Sequence, residues 1–378
     1  MLDVAIVGGG PAGLSTALHL PRDATAVVLE KARYPREKIC AGGVGARAFR
    51  LLERAGVEVD CPRVPLHALA LRFAGEPAAV LRHPGMGFVV RRVEFDHALA
   101  KACRARGLDV RDGCGVDEIE VLADRVRLHT TTGVFEARTL VGADGVAGIV
   151  RRKTGFSRGE LRAQVCELDT PAAPGDQARD TIVFDFATRE LRGYAWDFPT
   201  LVAGQPLVCR GVYALGHDDA PRARIAHYLA ARGLALADYK LKQFAERGWD
   251  PGEDIAKPRV LLVGEAAGID IATGEGIGQA IEYGSVAGPY LAAALARDDL
   301  GFADWQRTVA RHHLGRQLRI RHGCYRAFYG RRRALLERLM PRMPALMQIG
   351  VSDFAGTPIG KLGLLRGAGQ FLRALASD

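Results

Sequence analysis

Apolar residues run unbroken from Val4 to Val7 and then meet Gly8-Gly9-Gly10, the pattern of a short strand, buried on both faces, that enters a turn. Asp3 to Val7 is therefore predicted as a strand, Pro11 to Leu20 as the helix after it, and Ala26 to Leu29 as a second strand ending at Glu30. Pro11 suits a first helical turn, where its missing N–H has no intrahelical partner to lose. A polar loop follows from Ala32 to Gly45, then a helix from Ala46 to Ala55. From about Pro62 to Val90 apolar and polar residues alternate between prolines and glycines, which predicts short antiparallel strands. Phe95 to Arg106 has helical periodicity, Val116 to Ala137 reads as two hairpin strands around Thr132-Gly133, and Thr139 to Gly142 as another buried strand. Strands are again predicted over Ala163 to Val212, a helix over Ala223 to Arg232, a buried strand over Val260 to Val263 and a long helix over Gly276 to Ala296.

A buried strand of the first type thus returns more than 200 residues after the opening βαβ unit. This predicts an α/β chain whose Rossmann-like domain is discontinuous (1–60, 93–155 and 256–300), with an inserted antiparallel-sheet domain (61–92 and 156–255) and a helical C-terminal segment (301–378). The length, 378 residues, exceeds what one hydrophobic core organises and fits this division. With 48% apolar and 25% charged residues the composition is that of a globular protein, and no apolar run reaches the ~18 residues that a membrane span needs.

Charge alters the picture at one end only. From Gly301 onward 14 Lys and Arg stand against 4 Asp and Glu, whereas the rest of the chain is close to neutral, so a surface built for nucleic acid is not expected. Leu314, Leu318, Tyr325, Phe328 and Tyr329 share a helical face ringed by Arg311, Arg316, Arg319 and Arg326, and Arg331-Arg332-Arg333 precedes Leu335, Leu336, Leu339 and Met340. Such a basic amphipathic segment either lies on an anionic bilayer or packs on the protein with its arginines in water. The seven cysteines are scattered and form no C-x-x-C, against a disulfide framework or a metal knuckle and for a reducing, cytoplasmic setting. No metal site is predicted. The direct opening into strand and glycine loop leaves no expected secretory leader.

The candidate chemistry starts at Gly8-Gly9-Gly10-Pro11-Ala12-Gly13, a G-x-G-x-x-G between strand and helix. Gly8 permits the tight turn, Gly10 lets backbone approach a pyrophosphate, Gly13 allows close helix–strand packing, and the helix start offers free N–H groups to the anion. Glu30, about 20 residues on and followed by Lys31, is placed to accept from a ribose diol. Three further segments stand in order: Arg92-Val93-Glu94-Phe95-Asp96, Val141-Gly142-Ala143-Asp144-Gly145 and Val263-Gly264-Glu265-Ala266-Ala267-Gly268. Taken singly, each also reads as a turn, a cap or a surface charge. Their order and spacing resemble the p-hydroxybenzoate hydroxylase-like flavoproteins over roughly the first 300 residues. That resemblance implies FAD, with Arg92, Asp144 and Gly145 beside flavin and diphosphate and with Gly264 and Glu265 at the ribityl chain. The family usually carries aspartate where this chain has Glu265. Gly274-Glu275-Gly276-Ile277 opens the long helix, whose N-terminus would stabilise negative charge on the reduced ring.

Two motifs narrow the resemblance. Lys38-Ile39-Cys40-Ala41-Gly42-Gly43 is similar to the K-x-C-G-G loop of the geranylgeranyl reductase family, with Ala41 interrupting it, and Tyr194-Ala195-Trp196-Asp197-Phe198-Pro199 matches that family's Y-x-W-x-F-P. On a strand, Tyr194, Trp196 and Phe198 project to one face, as the wall of an elongated apolar pocket or as core aromatics. Cys40 is a candidate proton donor or flavin contact, or a small buried filler, and Arg210 a candidate substrate contact. The resemblance implies reduction of carbon–carbon double bonds of a prenyl lipid or other apolar substrate. With one dinucleotide fingerprint only, NAD(P)H or a reduced electron-transfer protein would be a transient donor. An oxygen-activating monooxygenase or halogenase, and a non-catalytic flavin carrier at a membrane surface, are the alternatives. A halogenase would carry W-x-W-x-I-P and a reactive lysine, and no lysine lies between Lys38 and Lys101.

Overall fold

The computed structural model describes residues 1–188, 190–216, 218 and 220–376. Two sheets organise it. In the first, Val260–Leu262, Gly133–Gly142, Leu2–Val7, Ala26–Glu30 and Asp109–Asp112 lie parallel in that order, with Ala256–Lys257 antiparallel at one edge. Ile6 faces Val28 on one side and Val141 on the other, and all three are buried, as a central parallel strand requires. Helices Pro11–His19 and Ile277–Arg297 pack on each other closely because two glycines of the longer one replace side chains: Gly284 lies against Ser15 and Gly288 against His19.

The hairpin region differs from expectation. Val116–Val121 and Val126–Thr130 pair with each other, but the third strand runs without a break from Gly133 to Gly142. Its outer half pairs with Val126–Thr130 and its inner half with Leu2–Val7, so one strand joins the hairpin to the parallel core. Nothing between Ala137 and Thr139 interrupts the extended backbone.

The second sheet runs Lys242–Arg247, Arg162–Thr170, Gln205–Leu215, Gly193–Val202, Thr181–Asp185, Arg63–Arg72, Ala79–Val90 and Gly43–Gly45. Its pairings are antiparallel except that between Thr181–Asp185 and Arg63–Arg72. Gly43–Gly45, assigned from the sequence to the nucleotide domain, belongs to this sheet. It pairs with Ala79–Val90, where Gly87 makes room for the Val44 carbonyl, while side chains on Gly43 and Gly45 would run into Phe198 and Phe354.

The C-terminal segment forms helices Trp305–Arg311, His313–Phe328, Arg333–Leu339, Pro344–Ala355 and Lys361–Ala376. Leu314 and Leu318 join the core of the first sheet, while Tyr325, Phe328, Tyr329 and Met347 join that of the second. Leu335, Leu339 and Met340 pack with Met343 and Ala374. These residues therefore face protein, so of the two readings of the segment the one that packs it on the molecule holds. Exposed leucines lie instead on the last helix: Leu362, Leu365 and Leu372 are each more than 60% exposed. Among the described residues no helix is long and apolar enough to cross a membrane.

Candidate active site

The glycine loop is held from beneath. Gly8 adopts φ +111°, and a side chain there would run into the backbone of Ala143 and Asp144. At Gly13 it would strike the Gly8 carbonyl. Gly10 faces the other way. The point where its side chain would begin lies 3.7 Å from Arg92 Nη2 and 3.8 Å from Arg36 Nη2, so two guanidinium groups stand over the loop. The first helical hydrogen bond runs from Leu14 N to Gly10 O, which leaves the N–H groups of Ala12 and Gly13 outside the intrahelical ladder. Positive side chains and free N–H groups thus converge on one spot, as a diphosphate requires.

Carboxylates fix those cations. Asp96 binds Arg92 through two 2.7 Å hydrogen bonds and lies 3.2 Å from Arg36. Glu30 accepts from Gly9 N at 2.9 Å and from Ala32 N at 3.0 Å, and pairs with Arg36 at 3.2 Å. Lys31 is exposed beside this region, and its charge acts on Asp144. Asp144 accepts from Val150 N at 2.8 Å, keeps Oδ1 buried and unpartnered, and is pushed up to about 6 by burial. The point where a side chain on Gly145 would begin lies 3.5 Å from Glu265 Oε2, which pairs with Lys38 at 3.6 Å. Gly264, at φ +60°, packs on Ala12 and Ala280 and so joins the third motif to the first. Gly276 caps the long helix, whose ladder begins with Ala280 N to Gly276 O, leaving the N–H of Ile277 outside it.

The distant motifs therefore close around one cleft, and its contents fit a dinucleotide. A glycine cradle is present, and Arg36 Nε, Asp144 Oδ1 and Glu265 Oε1 are buried without partners around it. FAD would be held by the glycine loop, Arg36, Arg92, Asp144 and Glu265. Arg36 was missed because it lies in a loop whose only signal was polarity. Among the described residues no cluster of His, Cys, Asp or Glu could hold a metal ion.

Beside this cleft the second sheet presents an aromatic face. Tyr194 stacks on Tyr213 at 5.0 Å, Phe184 sits 5.0 Å from Tyr194 and 5.5 Å from Phe198, and Tyr194 lies 6.2 Å from Trp196. Gly211, cross-strand from Trp196, makes room for the indole, which covers the place of its missing side chain. Phe198 abuts Gly43 and so reaches the Lys38–Gly43 loop. Phe328 packs against Phe186 at 5.4 Å, and Tyr329 against Phe328, which brings the C-terminal helices over this face.

Arg210 is not part of it. It is cross-strand from Asp197, one residue out of phase with Gly211 and Trp196, and so points to the opposite face of the sheet. There it is fully buried and pairs with Asp176 at 2.6 Å and Asp197 at 2.7 Å. Its expected contact with substrate is replaced by a structural ion-pair cluster.

Cys40 lies between cleft and sheet. Its Sγ accepts from Gly42 N at 3.4 Å, its N–H donates to Glu167 Oε1 at 3.2 Å, and burial pushes the thiol up to about 11. Glu167 is pushed up to about 7, chiefly by burial and then by Asp169. Two more acids face this region, Glu275 from the segment that opens the long helix and Glu246, which no motif announces. Glu246 lies on the edge strand Lys242–Arg247, and Glu275 pairs with Arg321, which also holds Asp270 at 2.9 Å and Asp353 at 2.8 Å. Arg321 thereby ties the C-terminal helices to the turn at Gly274.

Comparison with known proteins agrees with this geometry. A family model described as an FAD binding domain matches residues 1–178. A protein named digeranylgeranylglycerophospholipid reductase 2, from Methanothermobacter thermautotrophicus, is 28% identical over 340 residues, covering 84% of this chain and 86% of its own. A geranylgeranyl bacteriochlorophyll reductase-like protein from Thermoplasma acidophilum superposes with TM-score 0.70 at 18% identity, over 100% of this chain and 98% of that one. A flavin-dependent brominase superposes with TM-score 0.75 at 17% identity, over 100% and 99%. At such identities the two structures speak for the fold alone. With the glycine cradle, the converging motifs and the relatives together, the chain is an FAD-dependent oxidoreductase that is similar to the geranylgeranyl reductases.

Proposed function

We propose that this enzyme reduces carbon–carbon double bonds in an isoprenoid chain, drawing electrons from NAD(P)H or a reduced electron-transfer protein. The observation that carries the reading is the aromatic face formed by Phe184, Tyr194, Trp196, Phe198 and Tyr213, which adjoins the Lys38–Gly43 loop. An alkene has no group to hydrogen-bond, so it is held by shape and apolar contact, which rings at 5–6 Å spacing supply. When bound and reduced, the flavin supplies hydride. The chain's own residues do the rest: Arg36, Arg92 and the glycine loop take the diphosphate, Glu265 and Lys38 flank the cleft, and the C-terminal helices cover the aromatic face and keep water from it.

The same reading supplies a source for the substrate. The last helix packs inward through Gly367 and Ala374 and turns Leu362, Leu365 and Leu372 outward, with Lys361, Arg366 and Arg373 also exposed on it. An outward leucine face among cations matches an anionic lipid surface, from which a prenyl lipid would be drawn.

Anaerobic reduction of the FAD-loaded enzyme, followed by addition of a geranylgeranyl lipid, tests the reaction. Return of the oxidised flavin spectrum together with a saturated product is expected. Reoxidation by oxygen alone, with a hydroxylated or halogenated product, would overturn it in favour of an oxygen-activating enzyme.

A further inference from the structure

We infer that Glu246 is the acid that delivers the proton in this reduction, from an Oε2 that shares the space beside Gly274 with Tyr194 and Tyr213. The inference rests on the reductase reading above and names the residue that completes it.

Three observations place Glu246 there. Strand alternation puts Lys242, Phe244 and Glu246 on the face that carries Val165, Tyr213 and Tyr194, because Phe244 is cross-strand from Val165, Val165 from Tyr213, and Tyr213 from Tyr194. Next, the point where a side chain on Gly274 would begin lies 3.2 Å from both Glu246 Oε2 and Tyr194 Oη, and 3.0 Å from the Tyr213 ring. The glycine leaves that space open in the turn before the long helix. Finally, Glu246 Oε2 is shielded from solvent and lacks a well-formed hydrogen bond, with the Tyr213 side chain the one donor that bears on the carboxyl.

The neighbours narrow the choice of acid. Both tyrosine hydroxyls already donate to backbone, Tyr194 to Thr273 O at 2.5 Å and Tyr213 to Ile271 O at 3.2 Å. The Cys40 sulfur accepts from Gly42, and its thiol, at about 11, is a reluctant acid. Glu167 spends Oε1 on the Cys40 N–H and lies cross-strand from Lys242, so it holds the loop. Glu246 faces Glu265 and Asp270 as like charges and Lys38 as the opposing one. Burial dominates and raises its carboxyl well above the ordinary range, which favours the protonated form. A carboxyl oxygen shut off from water without a well-formed bond costs stability where it stands, and such costs gather at functional sites.

The balance is one hydride and one proton. One alkene carbon would take hydride from the reduced flavin, which would thereby be oxidised. As the π pair forms the second C–H bond, the O–H bond of Glu246 breaks, and the carboxylate regains a proton from water. The alkene is reduced by two electrons.

Glu246→Gln, Glu246→Asp and Glu167→Gln, each loaded with FAD, test this beside the wild type. E246Q is expected to keep the flavin spectrum and melting temperature but to lose about 100-fold or more in the rate at which a geranylgeranyl lipid reoxidises the reduced enzyme. E246D, an acid one methylene shorter, recovers part of that rate, and E167Q stays within a few-fold of wild type. In the infrared, the difference between wild type and E246Q at neutral pH shows the C=O stretch of one protonated carboxyl, a signal independent of turnover. Wild-type and E246Q rates that agree, a loss confined to E167Q, or an infrared difference spectrum without a protonated-carboxyl band each overturn the assignment. Wild-type enzyme inert to every prenyl lipid offered fails at the earlier step, and the reductase reading falls with its proton donor.

Discussion

Asp144 joins the parallel sheet to the cofactor cleft, with one oxygen bonded to Val150 N and the other buried without a partner. Its carboxyl is raised in the folded protein, so the folded state binds its proton more tightly than the unfolded state does. By linkage its favourable contribution is complete below its ordinary value of 3.8 and is lost as pH rises through about 6, a swing of roughly 2–3 kcal/mol. Asp144→Asn keeps the bond to Val150 and cannot ionise. The cofactor-free variant should therefore gain on wild type in melting temperature across that interval, and parallel profiles would contradict the account. At this scale the sequence was legible where chemistry restricts residue type, as at Gly8, Gly13 and Glu30. It was less so where phase decides. The alternation that put Tyr194, Trp196 and Phe198 on one face also puts Arg210 on the other, but only the cross-strand register reveals it. Glu246 gave no signal at all, since an acid in an edge strand looks like a solvated one.

Among elements, the C-terminal helices show how far a hydrophobic pattern reaches. The apolar faces of His313–Phe328 and Arg333–Leu339 are real, yet a pattern does not say what covers it, and here protein does. The last helix is inverted, with small residues inward and leucines outward. Fully burying a leucine is worth about 1.5–3 kcal/mol. Replacing Leu362, Leu365 and Leu372 together by serine should thus weaken binding to vesicles containing anionic lipid by roughly 100-fold or more, with the flavin spectrum unchanged. Flotation with anionic and with neutral vesicles separates the two forces at work. Equal flotation of variant and parent would remove the helix from any lipid contact, and a change in oligomeric state instead would point to a second copy of the chain. In the second sheet, Gly43–Gly45 is too short to register as a strand, and its place follows from pairing with Ala79–Val90.

The molecule as a whole is assembled from remote pieces. Leu2–Val7 pairs with Gly133–Gly142, which pairs with Val260–Leu262, and the helix Ile277–Arg297 closes over Pro11–His19. A discontinuous domain was foreseeable from the late return of a buried strand, whereas the lid of C-terminal helices was not, because its contacts are to side chains far away in sequence. Residues 1–178 carry the matched FAD binding model but lack that last strand and helix. A fragment ending there should show no cooperative melt and retain no FAD on gel filtration, and a yellow, folded fragment would show the later pieces to be dispensable. Arg321, reaching Asp270, Glu275 and Asp353 at once, is the last fastener of this arrangement. Because it joins the turn before the long helix to the helix Pro344–Ala355, removing its guanidinium would loosen that cover and admit water to the aromatic surface beneath.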